Sequence, residues 1–192
     1  MIKAVVFDCF GVLTSDGWLP FKSKYFGHNQ HLLQDVSDLS KQSDAGLISF
    51  HDFIQGVAKL AGVSTDEAYR QIENNVADSQ LFNYISTLKA NYKIGMLSNA
   101  AENWLDEMFS PEQTALFEAV ALSYESGYVK PQPEAYKIIA DRLGVKVDEC
   151  LFVDDQERYC TAATDVGMQA VWFINTDQAI ADIDRLLTEA KS

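Results

Sequence analysis

Residues 1–18, MIKAVVFDCFGVLTSDGW, join an apolar run directly to an aspartate. The run from Lys3 to Phe7 is apolar after its first residue, which is typical of a strand buried on both faces of a parallel sheet. Asp8 follows at once, so a carboxylate stands at the carboxyl end of that strand. Open α/β sheets bind their ligands at this edge. The stretch therefore predicts both an α/β fold and the place of its site.

Four further short runs have the same apolar character. They are KIGML (93–97), EAVAL (118–122), CLFV (150–153) and QAVWFI (169–174). Segments with helical periodicity separate them, and the last of these begins near Asp177. Strands that alternate with helices indicate crossover connections. We therefore expect a doubly wound, mostly parallel, Rossmann-like sheet.

The stretch from residue 15 to residue 85 interrupts this alternation. It contains no strand candidate but several helical patterns. One begins at Ser49 and another at Ser64, and each serine is followed three residues later by an acidic residue, as in a helix N-terminus. We therefore expect a helical cap subdomain over 15–85, inserted into an α/β core formed by residues 1–14 and 86–192.

Composition restricts the partners and the compartment. The formal net charge of the 192 residues is −13, and such a field repels nucleic acid and anionic lipid. No leader pattern is present, and no apolar stretch approaches the roughly 18 residues of a membrane span. The three cysteines form no CxxC pair, which suits reduced thiols. We expect a cytoplasmic protein without nucleic-acid or membrane partners; the sequence does not indicate its oligomeric state.

Polar side chains follow four of the five predicted strands. They are Asp8, Ser98 with Asn99, Lys130, and Asp154 with Asp155. Because the carboxyl ends of parallel strands meet at one edge of the sheet, we expect these residues to converge. Carboxylates gathered in this way require a cation, and hard oxygen ligands suit Mg²⁺. The sequence thus predicts a magnesium site beside a lysine.

The ordered segments FDCFGVLT, LSNA, GYVKPQPEAY and LFVDDQERYCTAATDVGM closely resemble the four motifs of the haloacid dehalogenase-like hydrolases. The resemblance covers essentially the whole chain, and residues 15–85 correspond to the helical cap of that family. It implies a Mg²⁺-dependent phosphatase that acts on a small phosphorylated metabolite. Asp8 would be the nucleophile that forms an aspartyl-phosphate, while Ser98, Asn99 and Lys130 would hold the phosphoryl group.

The same resemblance implies a ligand set and a contact from the cap. Asp8, the main-chain carbonyl of Phe10 and Asp155 would bind Mg²⁺, with Asp154 as a further ligand or as an acceptor beside it. Trp18, in the first cap segment, would face the active site and contact the substrate.

Phe10 departs from the family pattern. Most phosphatases of the family have a second aspartate there, which protonates the leaving group and then activates water, and phenylalanine can do neither. We therefore expect weakened catalysis. Asp16 is an alternative source of the proton, but because it lies past the turn into the cap, we expect a loop or helix-capping role for it.

Phe10 leaves two alternatives to a phosphatase open. One is a catalytically impaired family member that acts as a binding or regulatory module. The other is a 2-haloacid dehalogenase, a branch that also lacks the second aspartate. Dehalogenases use a cap arginine soon after the first motif, however, and this chain has no arginine before Arg70.

Overall fold

The computed structural model describes residues 1–190 and contains a five-stranded sheet. The strands are β1 (Ala4–Phe7), β2 (Lys93–Ser98), β3 (Ala119–Leu122), β4 (Cys150–Asp154) and β5 (Gln169–Trp172). Their order is β3-β2-β1-β4-β5, and every pairing is parallel. The predicted α/β, doubly wound, Rossmann-like sheet is confirmed. The fifth strand ends at Trp172, whereas the sequence pattern continued to residue 174.

Helices fill the connections. In chain order they are α1 (Trp18–Phe26), α2 (Gln30–Asp44), α3 (Phe50–Ala61), α4 (Thr65–Ile72), α5 (Ser79–Leu88), α6 (Leu105–Met108), α7 (Pro111–Thr114), α8 (Ser123–Ser126), α9 (Pro133–Leu143), α10 (Glu157–Asp165) and α11 (Thr176–Glu189), and a 3₁₀ turn covers Val147–Glu149. Within residues 1–190, none of them has the length and apolar character needed to cross a membrane.

Side chains of the central strand alternate between two hydrophobic layers, as the pleat requires. Val5 and Phe7 belong to the cluster that packs under α5 and α11, whereas Ala4 and Val6 belong to the cluster under α9 and α10. All four are fully buried. Helices on both faces therefore explain why the strand sequences are apolar throughout instead of alternating with polar residues.

Helices α1 to α4 pack around a third hydrophobic cluster of their own. Its buried members include Phe21, Phe26 and Phe53. The chain enters and leaves this unit through two adjacent segments, which are joined by hydrogen bonds from the Ser15 N–H to the carbonyl of residue 76 (3.0 Å) and from the Asp78 N–H to the carbonyl of residue 13 (2.9 Å). The buried side chains of α5 lie in a cluster of the sheet. The boundary at residue 85 stays a prediction, and this packing favours one before Ser79.

Candidate active site

Strand register brings the predicted site residues to one edge of the sheet. Phe7 at the end of β1 is level with Met96 on β2 and Val153 on β4. Asp8 follows β1, and Ser98 and Asp154 are the last residues of β2 and β4. The central strand and its two neighbours thus end together, at the point where the chain connections diverge to the two sides of the sheet. Such a switch point is where open α/β sheets form their binding crevice.

The Lys130 ammonium lies between two buried carboxylates. Its Nζ is 2.7 Å from Asp8 Oδ1 and 2.6 Å from Asp154 Oδ2. All three side chains are buried, with exposed fractions of 7% or less. The ammonium also lies 4.9 Å from the centroid of the Tyr159 ring. Burial lowers the pKa of Lys130, but Asp154 and Asp8 raise it by more, so the ammonium stays charged.

Asn99 holds the main chain of Lys130. Its Oδ1 accepts the Lys130 N–H at 2.8 Å, and its Nδ2 donates to the Lys130 carbonyl at 3.2 Å. The Asn99 side chain is therefore occupied, whereas the predicted role in phosphoryl binding concerned its main-chain N–H. Ser98 beside it is buried, and its Oγ lies 3.4 Å from the Asn99 carbonyl. The loop after β2 thus positions the lysine that pairs with Asp8.

The acidic residues of this edge fit a divalent cation. Asp8, Asp154 and Asp155 each place a carboxylate oxygen within 4.8 Å of the others. Asp155 Oδ1 is buried and has no hydrogen-bond partner among residues 1–190. A buried acceptor without a donor is costly unless a cation satisfies it. Asp154 already accepts from Lys130 Nζ and from the Gln156 N–H at 2.8 Å, so Asp155 has the freer oxygens.

Two carboxyl groups of this cluster, those of Asp8 and Asp155, have raised pKa values. Burial raises the pKa of Asp155 to about 6, and the nearby charge of Asp154 contributes to that shift. Burial also raises the pKa of Asp8 well above its ordinary value, while Lys130 opposes that shift and Asp154 adds to it. A bound cation would favour the ionised forms of both groups.

Phe10 and Gly11 shape the loop after β1. The Phe10 ring is half-buried and packs edge to face on Trp104, with 5.0 Å between centroids. Gly11 has φ +84°, and a Cβ there would lie 2.7 Å from Asp155 Oδ2. A side chain at this position would therefore displace the carboxylate that fits the cation.

Two residues of the cap entrance have structural contacts. Asp16 precedes the N-cap residue Gly17, and its Oδ1 accepts the N–H groups of Trp18 (2.7 Å) and Leu19 (3.3 Å), in agreement with the predicted loop or helix-capping role. The Trp18 ring packs in the cap cluster, 5.0 Å from Phe53 and 6.2 Å from Phe21. Its predicted contact with the substrate stays a prediction.

The sequence pattern missed Asp44, which ends α2. The Ser123 hydroxyl donates to its main-chain carbonyl, so the end of this cap helix reaches the carboxyl edge of the sheet. Burial raises the pKa of Asp44 to about 6, while Lys130 and Arg158 oppose the shift. One weak signal exists in the sequence, because a carboxylate in the last turn of a helix interacts unfavourably with the helix dipole.

Comparisons with known proteins agree with this geometry. A family model described as haloacid dehalogenase-like hydrolase matches residues 2–167. Bifunctional epoxide hydrolase 2 of Rattus norvegicus is 28% identical, over 96% of this chain and 39% of the rat protein, so the chain spans well under half of that relative. A phosphatase of Mycobacterium tuberculosis is 26% identical, over 88% of this chain and 86% of its own.

A solved structure is similar over most of both chains. It is a family enzyme of Bacteroides thetaiotaomicron in complex with magnesium and inorganic phosphate, with a TM-score of 0.68 and 26% identity. The match covers 89% of this chain and 93% of that one.

Removal of the buried ammonium tests the central ion pairs. Lys130→Met should lower the free energy of unfolding by about 3–5 kcal/mol at pH 7.5, because it leaves buried carboxylates without a cation. The pKa of Asp8, already raised by burial, should rise further in this variant. The folded variant then binds more protons than the unfolded chain above pH 4. The difference in the free energy of unfolding between the wild type and the variant should therefore shrink as the pH falls towards 5. Urea unfolding at both pH values measures this.

Lys137→Met on the exposed face of α9 is the matched control and should change stability by less than about 0.5 kcal/mol. Equal stability losses in the two variants would show that the ion pairs of Lys130 contribute no more to stability than an exposed lysine does.

Mg²⁺ binding should be visible as thermal stabilisation. Millimolar Mg²⁺ should raise the melting temperature, because a ligand that binds only the folded state stabilises it by RT ln(1 + [L]/Kd). Asp155→Asn should remove most of this rise, whereas Asp165→Asn, an exposed change on α10, should retain it. Without metal, Asp155→Asn should melt no lower than the wild type, because it relieves repulsion among buried carboxylates. An unchanged Mg²⁺ response in Asp155→Asn would exclude this site.

Proposed function

Since the chain belongs to the haloacid dehalogenase-like hydrolases, we propose that it is a Mg²⁺-dependent phosphatase that acts on a small phosphorylated metabolite. The observation that supports this best is the contact of a buried lysine with Asp8, beside the orphaned carboxylate oxygen of Asp155. A nucleophile, a phosphoryl-binding cation and a metal-binding carboxylate are thereby present at one edge of the sheet.

Asp8 performs the covalent step of the proposed reaction. A carboxylate oxygen of Asp8 forms a bond to phosphorus while the bond from phosphorus to the leaving oxygen breaks, and the electron pair departs with that oxygen. Water then attacks phosphorus, and the bond from phosphorus to Asp8 breaks. Phosphate is released, and the Asp8 carboxylate is restored.

The other site residues stabilise charge during both steps. The Lys130 ammonium contacts Asp8 and offsets the charge that gathers around the phosphoryl group. The Ser98 hydroxyl and the Asn99 N–H donate to the phosphoryl oxygens. Because these donors follow the end of β2 and Lys130 is clamped by Asn99, they are positioned before the substrate arrives.

We assign the Mg²⁺ ligands to Asp8, Asp155 and the carbonyl of Phe10, with Asp154 as an acceptor beside them that orients Lys130. When bound, Mg²⁺ supplies positive charge that neutralises phosphoryl oxygens. The three cysteines are buried and unpaired, which suits the proposed cytoplasmic location. Neither nucleic acid nor a membrane is a proposed partner.

The comparisons support the phosphatase over its two alternatives. The relative from M. tuberculosis is named as a phosphatase, and the enzyme from B. thetaiotaomicron was solved with magnesium and phosphate. A dehalogenase would need a halide-binding arginine at the site. Arg70 instead lines a cap cleft of about 360 Å³ that includes neither Asp8 nor Lys130. A binding module is less favoured because Asp8, Lys130, Asp154 and Asp155 are all present and lie close together.

Replacement of the nucleophile tests this proposal. Asp8→Asn should lower phosphate release from 4-nitrophenyl phosphate with Mg²⁺ to the background rate, because an amide is a poor nucleophile of nearly the same shape. Its circular dichroism spectrum should match that of the wild type, and Asp165→Asn should retain full activity. Activity of Asp8→Asn above background would contradict the mechanism.

A substrate panel separates the three functions. Phosphate release from any of a set of phosphate esters is the expected result for the wild type. Halide release from 2-haloacids would instead establish a dehalogenase, and no turnover of either class would favour the binding module.

A further inference from the structure

Phe10, two residues after the proposed nucleophile Asp8, cannot donate a proton in the proposed reaction. An alkoxide leaves poorly unless an acid protonates it. Asp8 and Asp155 are assigned to the nucleophile and the metal, and Asp154 is paired with Lys130. Asp16 Oδ1 accepts two main-chain N–H groups at the start of α1, which ties that side chain to the cap helix. A carboxyl group without such bonds is a better candidate for the donor.

Asp44 is brought to the site by the docking of α2. The Ser123 hydroxyl donates to the Asp44 carbonyl, and Ser123 Oγ in turn accepts the Ala100 N–H at 2.8 Å. Ser123 directly follows β3, and Ala100 belongs to the loop after β2 that begins with Asn99, next to Ser98 at the strand end. The end of this cap helix is thus fixed to the loop that is proposed to bind the phosphoryl group.

The Asp44 side chain is half-buried and is available to interact with a substrate. Among residues 1–190, its carboxyl group has no hydrogen bond and no ion pair. The charged groups that face it are Lys130, which contacts Asp8 at 2.7 Å, and Arg158 at the start of α10. The Tyr159 phenol also lies within its electrostatic reach. The carboxyl therefore lies within electrostatic range of the ammonium that pairs with the nucleophile, but forms no ion pair with it.

We propose that Asp44, supplied by the cap, is the proton donor and acceptor of this site and does the work that Phe10 cannot do. This proposal rests on the phosphatase function given above. It assigns a catalytic residue that none of the four sequence motifs contains.

The two proton transfers balance. As the Asp8 oxygen bonds to phosphorus and the leaving oxygen departs, the protonated Asp44 carboxyl gives its proton to that oxygen, so the product is an alcohol. The resulting Asp44 carboxylate then takes a proton from the water whose oxygen attacks phosphorus. Hydrogen phosphate leaves, Asp8 is regenerated as a carboxylate, and Asp44 is again protonated.

The titration of Asp44 suits both roles. Burial raises its pKa to about 6, and the positive charges of Lys130 and Arg158 limit the rise. A group with a pKa near the working pH is populated in both forms and can exchange protons in both directions.

The test compares leaving groups in variants of the full chain with Mg²⁺. Wild type, Asp44→Asn and Asp44→Glu are measured on 4-nitrophenyl phosphate, phenyl phosphate and glycerol 3-phosphate. Asp35→Asn, an exposed change on the same helix, is the matched control, and Asp16→Asn tests the rival carboxyl. Melting temperatures verify that each variant folds.

General acid catalysis contributes about 10²–10⁴ in rate, so Asp44→Asn should lower kcat/KM for glycerol 3-phosphate by about that factor. The loss for 4-nitrophenyl phosphate should be less than about tenfold, because nitrophenolate leaves without a proton. The ratio of kcat/KM for glycerol 3-phosphate to kcat/KM for 4-nitrophenyl phosphate should fall as the pH rises through 6 in the wild type. It should fall less in Asp44→Asn, where only the ionisation of the two substrates changes it. Asp44→Glu should restore part of the ratio, and Asp16→Asn and Asp35→Asn should keep it.

Four results would overturn the proposal. Equal losses for all leaving groups in Asp44→Asn would show a positional role, and no loss would show no role. A selective loss in Asp16→Asn alone would assign the proton to that carboxyl. If the wild type hydrolyses no phosphate ester, the proposed phosphatase function fails and the role of Asp44 fails with it. Hydrolysis with an unaltered leaving-group dependence in Asp44→Asn removes only Asp44.

Discussion

A single ammonium buried between two carboxylates is the constraint on which this site depends. Lys130 contacts Asp8 and Asp154 at distances below 3 Å, and solvent barely reaches any of the three. A buried charge is tolerated only when its partners are held in place. Here the two carboxylates, Asp8 and Asp154, are held at the ends of two adjacent parallel strands. Asn99 binds the main chain of Lys130 and so fixes the position of the lysine. The sheet therefore holds Asp8 and Asp154 close enough for one lysine to contact both.

The arrangement also leaves an excess of negative charge that a bound cation can neutralise. Three carboxylates and one lysine leave excess negative charge when all are ionised, and one oxygen of Asp155 has no donor within the described part of the chain, residues 1–190. A divalent cation would balance this excess, and in the proposed reaction a phosphoryl group would then contact both the cation and Lys130. A chain with a net charge of −13 can in this way bind an anionic substrate at one small, locally positive point.

Residues close to strand ends could be predicted from the sequence, because a buried parallel strand has a recognisable apolar pattern and its end is a fixed point. Asp8, Asp154 and Asp155 are predicted in this way, and the structure brings them together. Lys130 is also predicted and joins them, although α8 separates it from the end of β3. Asp44 could not be found, because the docking of α2 on Ser123 joins positions far apart in the chain. The packing of α5 on the sheet instead of in the cap also depends on tertiary contacts, so the sequence does not indicate it.

The most direct measurement of the central claim is the location of the phosphoryl group during turnover. The enzyme would be mixed with Mg²⁺ and an acyl or aryl phosphate, quenched in acid and digested, and the acid-stable phosphopeptides mapped by mass spectrometry. The account predicts one phosphoryl group, on the Asp8 carboxylate in the peptide that contains FDCFG. A phosphoryl group on another residue, or turnover with no labelled peptide under conditions that trap a known aspartyl-phosphate, would contradict it.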